Sequence, residues 1–139
     1  LHGAIVTSVN RVVGVYEKEI SLRMVLVANN NIVEYLDAAT DPFNGNNNAN
    51  TLINESQTVI DANIGSANYD IGHTFSTGGG GLAQLRSPCG TSKARGITGS
   101  SNPTGDAYDI DYVAHEMGHQ WGTILWPAAE VHLTTQNMK

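Results

Sequence analysis

The feature that most constrains this chain is a five-residue pattern near its end, His115-Glu116-Met117-Gly118-His119. Two histidines four apart act together only on a helix, where such positions are offset by about 40° and project from one face a turn apart. Held that way, both imidazoles can grip one ion, and zinc suits such ligands. Glu116 follows the first ligand directly, so its carboxylate can reach a water on the metal, take its proton and pass it to a leaving amine. The surrounding residues support a helix independently: Asp109 or Asp111 is placed to cap its start, and Tyr112, Val113, Met117 and Trp121 supply apolar packing. The pattern predicts His115 and His119 as metal ligands, Glu116 as the base, and Zn2+ as cofactor.

Gly122, three positions after the second histidine, lets the chain leave the helix with positive φ and turn back. Such a turn delivers a third ligand. The chain resembles, as far as Gly122, the extended metzincin pattern His-Glu-x-x-His-x-x-Gly-x-x-His, which implies that ligand at position 125, where Leu125 stands, and leucine cannot bind zinc. His132 and Glu130 are the two candidates to replace it if the tail folds back after Pro127, with His132 favoured.

Upstream, Ile5, Val9, Val12, Val13 and Tyr16 share one face of a helix over residues 4–16. Residues 20–28 run apolar through Leu22, Met24, Val25, Leu26 and Val27, as a central buried strand would. The Asn-rich stretch 41–50 has the chemistry of an exposed loop. A second helix is expected over 52–64, with Leu52, Ile53, Val59, Ile60 and Ile64 on one stripe and Gly65 as its stop. Residues 69–75 alternate as a strand into the run Gly78 to Gly81, and 82–85 and 94–98 read as short strands. Within the first of these His73 alternates with Ile71 and Phe75, so it reads as a buried, hydrogen-bonded core residue. Lys93 and Arg95 read as a solvated face, and His2 as a frayed end. Strands separated by helical crossovers predict an α/β fold, a mixed sheet covered on both faces, within one domain over residues 1–139.

The partners excluded follow from charge. With Lys+Arg 7 against Asp+Glu 13, and a formal charge of -6, the chain lacks the clustered cations that phosphate backbones or anionic membranes require. No apolar run approaches the roughly 20 residues of a membrane span. The lone Cys89 forms no disulfide within the chain and leaves the redox compartment open, and the low charged fraction with abundant Asn, Ser, Thr and Gly suits a secreted bacterial protein at least as well as a cytosolic one.

Three segments carry a family resemblance: Tyr69-Asp70-Ile71-Gly72-His73 through Gly81, Lys93 to Gly99, and Gly105 to Gly122. Together they resemble the bacterial reprolysin-like, adamalysin-type zinc metallopeptidases of the metzincin clan, over most of residues 4–122. The resemblance implies a three-layer α/β/α architecture in which a twisted mixed sheet packs between helices. It also implies an edge strand above the cleft that pairs with extended protein or peptide substrates, matched here by Gly80, Gly81, Leu82 and Ala83. The extended metzincin pattern continues to a third histidine and a methionine turn. Leu125 departs from the first, Met138 is the candidate for the second, and the family's strand before the first helix has no counterpart, so a domain truncated at both ends is expected. Cys89 then reads either as a thiol whose partner went with the missing segment or as a buried free thiol. Three functions follow: a secreted zinc endopeptidase, an impaired relative that binds zinc or peptide without cleaving, or an enzyme whose last ligand comes from Glu130 or another chain.

Overall fold

The computed structural model describes residues 1–122 and 130–137. Helix α1 (His2–Ile20) buries Ile5, Val9, Val12 and Tyr16 on the face their spacing predicts, and ends at Ser21 in the left-handed region. Strand β1 (Arg23–Leu26) follows, then a 3-10 turn at Asn30–Val33. Helix α2 (Ala49–Asn63) starts where the Asn48 side chain accepts from the N–H groups of Asn50 and Thr51, satisfying two donors of its first turn. Its end is marked by Gly65 at φ +85, a conformation that suits glycine. Strands β2 (Ile71–Ser76), β3 (Gly80–Ala83) and β4 (Gly96–Gly99) come next. A continuous helical run then passes from α3 (Asp106–Tyr108) through a π segment (Asp109–Val113) into α4 (Ala114–Trp121). Strand β5 (Glu130–Asn137) completes the described chain.

The five strands lie in the order β1-β5-β2-β4-β3. All neighbours are parallel except β3, which runs antiparallel to β4, so the sheet is mixed as expected. Helices α1 and α4 cover one face, burying Ile71, Phe75, Val131 and Leu133 with Val12, Met117 and Trp121. Helix α2 covers the other, where Leu52 and Ile53 meet Ile97, and Ile60 meets Ala94. This is the three-layer α/β/α arrangement of the metzincin-like fold. Among the described residues no helix is long and apolar enough to cross a membrane.

The structure corrects several expectations. β1 is an outer strand, not a central one, because β5 takes the centre and pairs with β1 on one side and β2 on the other. β5 buries polar residues there: Thr134 Oγ1 donates to Asn30 Oδ1 at 3.2 Å and Gln136 Nε2 donates to Thr74 Oγ1 at 2.6 Å, while Gln136 Oε1 has no partner among the described residues. Lys93 is no solvated residue. It is buried, donates from Nζ to the Ser66 carbonyl at 2.5 Å, and sits 4.5 Å over the Tyr69 ring. Cys89 is exposed, which removes its reading as a buried thiol. His2 is not frayed: it opens α1, with Nδ1 2.7 Å from Glu34 Oε1.

Candidate active site

Helix α4 is held in place before it reaches its histidines. In the π segment the Ala114 N–H bonds back to the Asp109 carbonyl, five residues earlier, which re-phases the helix entering the site. Asp109 does not cap the helix. Its buried carboxylate accepts from Ser8 Oγ at 2.6 Å and lies 3.4 Å from Arg11 Nε, while Arg11 also pairs with Asp106. Tyr16 Oη donates to the Ala114 carbonyl at 2.5 Å, and burial pushes this phenol far above its ordinary pKa, so it remains a donor. Three side chains of α1 thus fix the segment that precedes His115.

On α4, His115 and His119 are exposed on one face, their rings 4.5 Å apart between centroids and nearly perpendicular at 88°. Their Nε2 atoms converge to 2.9 Å. Two nitrogens each about 2.0–2.1 Å from a tetrahedral zinc lie roughly 3.4 Å apart, so a small rotation of either ring fits the pair to the ion. Zinc would also take both lone pairs, where without it one ring must donate to the other. The pair therefore fits the group that the sequence implies.

Glu116, between them in sequence, is 8% exposed. Its carboxylate rests on β3: a Cβ built on Gly81 would stand 2.2 Å from Glu116 Oε1 and 2.7 Å from Tyr112 Cε2. Only glycine leaves room for that carboxylate beside the strand. Burial raises the Glu116 pKa above the ordinary carboxylate value, opposed by His119 and His115. Gly80, Gly81 and Leu82 all lie on β3, which pairs with β4 along one side and, among the described residues, forms the outer edge of the sheet beside Glu116.

The structure does not bring His132 to this site. It lies on β5, where its backbone N–H donates to Asp70 Oδ2 at 2.8 Å and its Nδ1 is 3.1 Å from the same oxygen. Among the described residues no group of three or more His, Cys, Asp or Glu side chains is arranged to hold a metal. Leu125, Pro127 and Met138 lie outside the described residues, as does the side chain of Glu130.

Sequence reasoning missed Gln120. Its one signal was its place four residues after Glu116, which puts two polar side chains on one stripe of the helix facing the sheet. The role of Tyr16 had no signal, because its apolar spacing accounts for it fully. The family model described as Metallo-peptidase family M12B Reprolysin-like matches residues 3–123. No curated protein and no solved structure matches the chain.

Proposed function

The chain belongs to the reprolysin-like M12B metallopeptidase family, and from that premise we propose that it is a secreted zinc-dependent endopeptidase acting on extended protein or peptide substrates. The observation that carries this reading is the placing of three groups within one turn of α4. His115 and His119 converge their Nε2 atoms, and Glu116, near enough for both imidazoles to act on its charge, lays its carboxylate against the edge strand. In this reading His115 and His119 hold the zinc. When bound, zinc supplies a Lewis acid that makes a water acidic near neutral pH. Gly80, Gly81 and Leu82 offer their backbone to an extended peptide, which adds to the sheet as one more strand and brings its scissile bond beside Glu116. Glu116 accepts the proton of the attacking water and returns it to the leaving nitrogen. Its seat over Gly81 keeps it pointed at the peptide instead of at bulk water.

A second reading is favoured by one observation. Leu125 occupies the third-ligand position, and no described residue replaces it. Two protein ligands give a weaker and more open site than three, so the fold would bind zinc or peptide without turnover. Zinc content after gel filtration, with cleavage of a quenched casein substrate, separates the two. Chelator-sensitive cleavage that Glu116→Gln abolishes supports the endopeptidase; bound zinc without cleavage, or no zinc at all, refutes it and supports the impaired relative.

A further inference from the structure

Behind α4 lies a buried polar chain that the reaction itself does not use. His73 on β2 is fully buried, with Nδ1 2.7 Å from Gln120 Oε1 and Nε2 2.8 Å from Thr98 Oγ1 on β4. Gln120 Nε2 lies 2.9 Å from the Gly72 carbonyl and 3.4 Å from the Lys93 carbonyl. Carbonyl oxygens only accept, so the amide nitrogen must be the atom facing them and Oε1 the atom facing His73. An amide oxygen also only accepts, so His73 must carry its proton on Nδ1. Its Nε2 is then left to accept from the Thr98 hydroxyl. Every hydrogen bond in the chain has a fixed direction, from Thr98 through His73 to Gln120 and on to the backbone of β2. Gly96 makes the passage: a Cβ there would stand 2.2 Å from Gln120 Oε1.

Gln120 directly follows His119 and ends in the sheet, whereas His119 points outward. The rotation of α4 about its axis decides both where His119 aims and whether Gln120 reaches its partners. We propose that His73 is a positioning residue for the metal site, acting through Gln120 to set the rotation of α4 and hence the convergence of His115 and His119. The proposal rests on the zinc-site reading above. Burial also disfavours the protonated imidazole, which keeps His73 a neutral ring whose one proton the Gln120 oxygen holds on Nδ1.

The test uses two variants that differ in which bond they keep. In His73→Asn the side-chain amide nitrogen falls near Nδ1 and keeps the donor to Gln120. In His73→Gln the terminal amide falls near Nε2 and keeps only the Thr98 bond. Both leave a comparable defect in the core, so a merely structural role would make them alike. Cobalt affinity and its visible spectrum read the site, and amide hydrogen exchange across residues 114–121 reads the helix without any metal. We expect His73→Gln to weaken cobalt binding 10- to 100-fold and to speed exchange in α4, with His73→Asn close to the unmodified chain in both. Nitrogen-15 spectra of the unmodified chain should show His73 protonated at Nδ1. Equal effects of the two variants, or a proton on Nε2, would overturn the proposal. Failure of the unmodified chain to bind cobalt would sink the zinc-site reading alone, and the exchange comparison would then decide the positioning role. Should both variants fail to fold, Thr98→Val, which deprives Nε2 of its donor, must leave the proton of His73 on Nδ1, because Gln120 Oε1 still only accepts; a proton moved to Nε2 refutes the fixed chain of bonds.

Discussion

At the scale of single residues, the site depends on what a glycine leaves out. Because a Cβ at Gly81 would stand 2.2 Å from Glu116 Oε1, Gly81→Ala should turn the carboxylate away and lower kcat on the order of 10²-fold while zinc stays bound. Steady-state cleavage beside metal analysis checks this. Glu116→Gln keeps the shape but removes the base, and should cost 10²- to 10⁴-fold in kcat by the same assay, a range of order typical of general bases. His73 gives a pH dependence whose sign is fixed. Burial lowers its pKa from 6.5 to about 4, so above pH 6.5 it is neutral both folded and unfolded and costs nothing. As pH falls from 6.5 toward 4 the unfolded chain takes up a proton that the folded chain refuses. Stability then drops by about 1 kcal/mol per pH unit. Urea unfolding at pH 7.5 and 4.5 should show a smaller loss in His73→Asn than in the unmodified chain; an equal loss would mean that His73 is not the group responsible.

Among the elements, α1 and the π segment form the mount on which α4 is carried. Tyr16→Phe leaves the ring packed but removes the donor to Ala114, and should cost about 1 kcal/mol in urea unfolding with a detectable fall in metal affinity. Much at this scale was legible in the sequence. Three- and four-residue steps placed α1 and α2, and the spacing of His115 and His119 placed α4 and its exposed face. What could not be read were roles set by partners far along the chain. Asp109 stands where a capping residue belongs, yet Ser8 and Arg11 claim its carboxylate, and nothing local to Asp109 announces them. Lys93 looked solvated because its partners, the Ser66 carbonyl and the Tyr69 ring, meet it only after β2 and α2 are in place.

For the molecule as a whole, the central strand is the least expected element. Residues 130–137 alternate only in part and are rich in Thr, Gln and Asn, so their sequence does not read as the middle of a sheet. They succeed there because Asn30, Ser56 and Thr74 line the slot with hydrogen-bonding groups. Conversely, the apolar run that suggested a central strand owes its character to α1, which packs on β1 beside the buried Met24. Leu133 is fully buried between β1 and β2, and Leu133→Ala should lower stability by about 2–5 kcal/mol in urea unfolding, more than any surface change.

The position of β5 also puts a clock into the fold. Arg23 must wait for Glu130, and Ile71 for Leu133, before either outer part of the sheet can join the other. During synthesis α1, β1 and α2 leave the ribosome long before the strand that unites them, so closure over such long separations comes late and slowly. The helix that carries His115, Glu116 and His119 emerges before that strand as well. A nascent chain would therefore carry its histidines and its glutamate ahead of the frame that aligns them.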